Sequence, residues 1–191
     1  MVKLNKIYTR TGDDGTSGLV DGSRVSKASP RMVAIGDVDE ANSALGLAIA
    51  HLGDHPLAAS LLRVQNELFD LGADLATPVT DEADPDWALR ILPEQATRLE
   101  REIDAMNETL APLASFILPG GSPAVAALHL ARAIIRRAER AAVELSSSER
   151  INPPAATYLN RVSDHLFVSA RSVAAGEGGD VLWRPGATRD Q

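Results

Sequence analysis

The stretch SPAVAALHLARAIIRRAERAAVELS, residues 122–146, decides the fold. Ser122 makes a good N-cap and Pro123 suits the first helical position. Leu128, Ala131, Ile135, Ala138, Ala142 and Leu145 then recur at helical spacing as one apolar stripe. Arg132, Arg136 and Arg140 follow at i, i+4 and i+8, fanning over about 80° of one face. Glu139 falls at the edge of that fan, and His129 lies beside Arg132. The stripe's centre lies roughly 90° from Arg132, so the arginines border the core instead of opposing it. Two readings stay open. One is a solvated charged face. The other is a crevice for a polyanion, whose oxygens guanidinium forks match bidentately, with Glu139 holding one fork in place.

A long one-faced helix needs partners of similar length, and the flanking sequence supplies them. After Pro30 a helix runs from about Arg31 to Leu52, with Ile35, Val38, Leu45 and Ile49 on one face and Gly53 to end it. A second covers about Pro56 to Ala76, closed by Thr77-Pro78. Val79 to Leu92 reads as a loop. A third helix opens at Pro93 and ends near Ala111-Pro112, and Phe116-Ile-Leu-Pro-Gly-Gly is a tight connection into the fourth. A fifth runs from about Pro153 to Ala175, before an irregular tail. Helices of roughly 20 residues are each about 30 Å long. No pair of strong strand patterns is found. The expected class is all-α: a five-helix antiparallel bundle, four-helix core plus one helix, with an irregular N-terminal arm.

Composition bounds the chemistry. The chain has 191 residues, 45% hydrophobic and 24% charged, as expected of one globular domain. It has no cysteine, which removes disulfides, thiolate metal sites and cysteine nucleophiles. No apolar run approaches the ~18 residues of a membrane span, and no signal-peptide core follows Met1. The expectation is a cytoplasmic protein with no membrane partner. The net charge of −7 and the 4% aromatic content speak against a nucleic-acid partner. The charge is unevenly spread: residues 1–31, with Lys3, Lys6, Arg10, Arg24, Lys27 and Arg31, carry +3, and residues 77–109 carry −6.

Two other helices also carry polar residues at the margin of an apolar face. On the first, Asn42 projects into the stripe and Asp39 lies at its edge. A polar group there requires a partner, either across a helix–helix contact or, for Asp39, in an arginine of the fourth helix. On the fifth, Asn160, Asp164, Phe167 and Arg171 form one line. The run Thr9-Arg-Thr-Gly-Asp-Asp-Gly-Thr-Ser-Gly, which contains Gly12, Gly15 and Thr16 and has Lys27 a little downstream, has the chemistry of an anion-cradling loop or of an ordinary turn. It is neither a P-loop nor a dinucleotide fingerprint. A di-iron site is excluded, since no Glu lies three residues before any of the four His.

These residues resemble the PduO-type ATP:cob(I)alamin adenosyltransferases. The resemblance is carried by Tyr8-Thr-Arg-Thr-Gly-Asp-Asp-Gly-Thr, Lys27, Arg31 and Gly36-Asp-Val-Asp-Glu-Ala-Asn-Ser-Ala-Leu-Gly. Phe116-Ile-Leu-Pro-Gly-Gly, Leu128-His-x-Ala-Arg-x-x-x-Arg-Arg-Ala-Glu-Arg and Tyr158-Leu-Asn-Arg-x-Ser-Asp-x-Leu-Phe follow in order. Arg10 stands where many relatives have Lys, with the charge kept. The resemblance spans about residues 7–171 and implies a single domain over 1–191, with an ATP-binding arm (1–31), a helical bundle (32–176) and a tail (177–191). It further implies a homotrimer with sites between subunits, ATP with Mg2+ as co-substrate, and cob(I)alamin or cob(II)alamin as acceptor. By the same resemblance Thr9, Arg10, Thr11, Gly12, Gly15, Thr16, Lys27, Arg136, Arg137, Glu139, Arg140 and Asn160 would contact ATP. Asp39 would pair with Arg132, Arg136 would act on the leaving group, and Phe116 would occupy the lower face of the corrin. It assigns no magnesium ligand. A carrier or escort that binds cobalamin without catalysis is the alternative, and hand-over to an acceptor enzyme is compatible with either.

Overall fold

A computed structural model describes residues 7–189. Lys3 and Lys6, with the outermost ends of the arm and tail, lie outside the described residues. The elements are β1 (Thr16–Gly18), β2 (Arg24–Ser26), α1 (Pro30–Leu52), α2 (Leu57–Leu75), α3 (Pro93–Asn107), α4 (Pro123–Ser148) and α5 (Pro153–Ala175). The caps expected of serine before proline form at both α1 and α4. The Ser29 hydroxyl accepts from Met32 N–H and the Ser122 hydroxyl from Val125 N–H. Gly121 precedes the second cap with φ +111°, and a Cβ there would lie 3.2 Å from Val125. Glycine is required by both counts.

Every residue of the α4 stripe is fully buried. Coverage comes from α1, which makes the most extensive helix–helix contact in the molecule, and from α5. Buried alanines on both helices (Ala34, Ala41 and Ala48 on α1; Ala131 and Ala138 on α4) suit this close approach. The contacts fix the directions. Arg31 pairs with Glu149 at 2.7 Å and Arg137 with Asp37 at 3.3 Å, so α1 and α4 run antiparallel. Asn42 donates to Gln65 O (3.1 Å) and Gln65 returns a bond to Asn42 O (3.2 Å), so α1 and α2 do too. Glu139 meets Asn160 at 2.9 Å, which does the same for α4 and α5. These four helices are the core. The extra helix is α3, which lies along α5 in the same direction, Glu100 meeting Arg161 and Met106 meeting Ser169.

Three findings refine the sequence reading. The arm holds a short antiparallel hairpin, β1 with β2, where no strands were expected. Three-residue strands are too short for alternation to register. Asp14 and Asp21 set its turns by accepting from the backbone and hydroxyl of Thr16 and Ser23. Helix α3 stops at Asn107, a turn short of Ala111. The acidic loop 79–92 is tied down: buried Asp74 accepts from Arg90 (2.8 Å), Ile91 N–H (2.8 Å) and Asn152 (2.6 Å), joining α2, the loop and the start of α5.

A polar network ties α2, α3 and α5 together. Glu67 accepts from Tyr158 (2.6 Å) and pairs with Arg98, which also holds Glu102 at 2.7 Å. Glu102 in turn meets buried His165 at 2.9 Å. The bond to His165, reinforced by Arg98, holds the Glu102 carboxyl down at about 2, against burial acting the other way. A carboxyl depressed in the fold stabilises it above its unfolded value near 4.5, and that stability drains as pH falls toward 2. Denaturant unfolding at pH 7 and at pH 3 is therefore expected to show a larger acid loss for the parent than for Glu102→Gln, whose amide does not titrate.

Candidate functional site

Two aromatic residues and one arginine meet where α4 begins and α5 ends. Arg132, half-buried, stands 5.9 Å over the Phe167 ring. Its Nε is buried and has no hydrogen-bond partner among the described residues. Burial, then the charge of Arg136, push the Arg132 guanidinium below its ordinary value, though it stays charged. Phe116 is 78% exposed on the connection before α4. Phe116, Phe167 and Arg132 line one cleft of about 620 Å³ with Leu113, Ser115 and Ile117. Such a pocket, apolar walls with one cation on the rim, suits a large flat apolar ligand bearing polar edges.

The Phe116 connection is strapped by the tail. Leu118 N–H donates to Val181 O (2.8 Å), Trp183 N–H to Phe116 O (2.7 Å) and the Ser115 hydroxyl to Trp183 O (2.7 Å). Ile117 and Leu182 pair as an isolated antiparallel bridge, and the rings of Phe116 and Trp183 lie 6.1 Å apart. Arg171 anchors this segment through Asp180 at 3.0 Å and also holds Ala111 O. Sequence reading left this tail irregular. A one-residue bridge between segments 65 residues apart leaves no periodic signal.

Along α4 the polar band continues. Arg136 and Arg140 are exposed, with Arg140 donating to Arg136 O at 3.0 Å. Glu139 is not holding an arginine fork; it accepts from Asn160, whose own oxygen takes Arg161. Arg137 is occupied by Asp37 and Glu40 of α1. The Asp39–Arg132 pair is not made within the chain. Asp39 lines a groove between α1 and α2 beside Phe69 and Gly72, turned away from α4. Arg132 also lies five residues, roughly 8 Å along the axis, beyond the level where Arg137 meets α1. Asn42 makes the interhelical bond to Gln65 given above.

The arm forms a compact cradle of its own. Lys27 Nζ donates to Gly12 O at 2.8 Å, and Lys27 N–H to Gly15 O at 2.9 Å. Arg24 spans Thr11 O and the Thr16 hydroxyl, and the hydroxyls of Thr9 and Thr11 meet at 2.9 Å. A Cβ on Gly12 would lie 3.1 Å from both Lys27 Nζ and Thr16 O, so a larger residue would crowd the Lys27 bond and the Thr16 carbonyl. Arg10 takes φ +63°, the left-handed region, and its guanidinium lies 5.7 Å over Tyr8. A non-glycine residue in that region is strained unless its surroundings hold it. Val20 N–H fastens the hairpin to Ala76 O, at the end of α2. The cradle therefore sits where α1 begins and α2 ends, and the cleft where α4 begins. Because α1 and α4 are antiparallel, these are opposite ends of one chain's bundle. Among the described residues no group of three or more His, Cys, Asp or Glu is placed to hold a metal ion.

Comparisons with known proteins identify the family. A family model described as cobalamin adenosyltransferase matches residues 7–173. The corrinoid adenosyltransferase of Mycobacterium tuberculosis is 51% identical over 98% of this chain and 97% of its own length. That of Bacillus subtilis is 46% identical over 95% and 94%. A solved structure of a phenylalanine-to-alanine variant of the PduO-type ATP:corrinoid adenosyltransferase from Lactobacillus reuteri, complexed with cobalamin and ATP, superposes with TM-score 0.86 at 37% identity, covering 94% of this chain and 99% of that one. The fold and these relatives thus define an adenosyl-transferring helical bundle. The chain belongs to the cobalamin adenosyltransferase family.

The left-handed backbone at position 10 carries a test. Arg10→Gly should leave stability within about 1 kcal/mol, since glycine takes φ > 0 freely, whereas β-branched Arg10→Val should cost about 1–3 kcal/mol. Thermal unfolding of the two variants measures this.

Proposed function

We infer that this chain transfers the 5′-deoxyadenosyl group of ATP to cob(I)alamin, giving adenosylcobalamin and triphosphate. The observation that carries the reading is that an arginine and two aromatics share a corrin-sized cleft in a chain whose whole bundle matches the family. The reduced cobalt is the nucleophile and arrives with the substrate, so the protein needs no Cys or Ser to attack. The cobalt's electron pair forms the bond to C5′ as the C5′–O bond breaks, and triphosphate leaves with that bond's electrons. The leaving group's charge is what the protein has to stabilise. Exposed Arg136 and Arg140, with Glu139 and Asn160 beside them, hold the triphosphate and adenosine, and Arg136 bears most on the leaving oxygens; Arg137 joins them by exchanging Asp37 and Glu40 for phosphate. The cradle of Thr9, Arg10, Thr11, Gly12, Gly15, Thr16 and Lys27 contributes backbone N–H groups, hydroxyls and charge. Magnesium comes as part of MgATP, held chiefly by phosphate oxygens.

Phe116 sits under the corrin and displaces the nucleotide base. Four-coordinate cob(II)alamin, lacking that ligand, is easier to reduce to the nucleophile.

Cradle and cleft lie at opposite ends of one chain, which supports an assembly in which one subunit's arm closes over its neighbour's α4. A homotrimer satisfies this. Phe69 is 71% exposed and, with Met32 and Ile35, leaves an apolar groove beside Asp39 for the neighbour to cover. In that arrangement Asp39 meets the unpartnered Arg132 across the interface. No helix among the described residues is long and apolar enough to cross a membrane. The reading of a cytoplasmic enzyme fits that, and hand-over of product to an acceptor enzyme is compatible with it.

Incubation with ATP, magnesium and chemically reduced cobalamin should give the adenosylcobalamin spectrum; absence of product would favour the carrier reading. Arg136→Ala should lower turnover by about 100-fold or more with the fold intact, as loss of a preorganised charge on a leaving group does. Phe116→Ala should slow the reaction from cob(II)alamin far more than from pre-reduced cob(I)alamin; equal losses would remove its lower-face role. Light scattering should report three chains per particle.

A further inference from the structure

His129 has no part in the chemistry above, yet it is 2% exposed and neither ring nitrogen has a hydrogen-bond partner among the described residues. A buried imidazole left so is costly, and such a group calls for a reason. Three observations supply one. His129 lines the floor of a narrow, partly open cavity of about 30 Å³ between the Gly120-Gly121 turn, the first turns of α4 and the tail. Asp180 lines the same cavity, and its Oδ1 is likewise buried and unpartnered, while Oδ2 takes Arg171. The volume holds about two waters, each needing roughly 10–15 Å³ of such space.

We propose that His129 is a positioning residue, donating a ring N–H to an internal water that in turn donates to Asp180 Oδ1. The link fastens α4 to the tail just where the strap Asp180–Trp183 leaves for the Phe116 connection. Burial first, then Arg132, hold the His129 imidazolium down, against the pull of Asp180. The ring is thus neutral at pH 7, with one donor for the water. Its packing 6.3 Å from Phe167 fixes the ring plane. Arg171 grips Asp180 from the other side, so the carboxylate is held at both oxygens. The backbone bonds Leu118 N–H to Val181 O and Trp183 N–H to Phe116 O then carry that placement to Phe116. The effect on catalysis rests on the lower-face role of Phe116; the link itself does not.

Amide hydrogen exchange on the full chain tests the link directly. His129→Phe keeps the ring volume and removes both nitrogens. Exchange at the Leu118 and Trp183 amides should quicken about fivefold, the weight of one hydrogen bond, and His129→Gln, which retains a donor, should restore most of the protection. Unchanged or slowed exchange in His129→Phe, or no difference between Phe and Gln, overturns the link. Glu177 also lines the cavity. Glu177→Gln should leave both amides as they are; a change equal to that of His129→Phe would make Glu177 the acceptor and overturn the assignment to Asp180. Should His129→Phe fold poorly, His129→Asn against His129→Leu gives the same contrast. His129→Phe should also slow turnover from cob(II)alamin more than from cob(I)alamin. If Phe116→Ala shows no such split, the catalytic reading fails while the exchange result still judges the link.

Discussion

The molecule depends on one constraint: α4 must bury its apolar stripe completely while keeping arginines on the margin of that stripe reachable. Two neighbours on opposite flanks solve this. α1 comes in close over alanines and α5 over larger side chains, and the stripe between them is wholly removed from water. The arginines are left along the seams. There they behave differently according to what the neighbouring helix offers. Arg137 meets carboxylates of α1 and is neutralised. Arg132 meets only an aromatic face of α5 and keeps an unpartnered Nε. Arg136 and Arg140 remain open to solvent. A single helix thereby presents one spent cation and three available ones, sorted by the composition of its partners.

Much of this was legible in the sequence. A stripe of six apolar residues on α4 is a strong signal because each has to face inward, and each does. Serine-proline pairs marked two helix starts because the cap and the missing N–H of proline act locally. What failed to show was decided by distance in the chain. The partner of Asn42 is Gln65, and Asp39 is steered into the α1–α2 groove by the rotation of α1, which no local pattern encodes. The strap between the tail and the Phe116 connection rests on three hydrogen bonds and a ring contact, and the hairpin in the arm on three paired residues per strand. Elements that short are fixed by their surroundings and not by their own periodicity.

Polar and ionic pins, two near helix ends and one midway along α2, α3 and α5, complement the apolar interior. Asp74, Arg31 and the Glu67–Glu102 network each draw together segments remote in sequence, and each is satisfied by several partners at once. Breaking one member of such a set strands the others in a poorly solvated place, which is why they specify the arrangement more than they add to its stability. The acidic loop, for all its surplus charge, is pinned at its root by Arg90, which meets both Asp74 and Asp84.

The shared-site assembly proposed above would have a genetic consequence. Where sites are shared between subunits, a damaged arm and a damaged α4 are defects of different partners in the same site. Two inactive alleles, one altered near Gly12 and the other near Arg136, would complement one another when co-expressed, because mixed assemblies pair the sound arm of one chain with the sound helix of the other. Two alleles both altered on α4 would not.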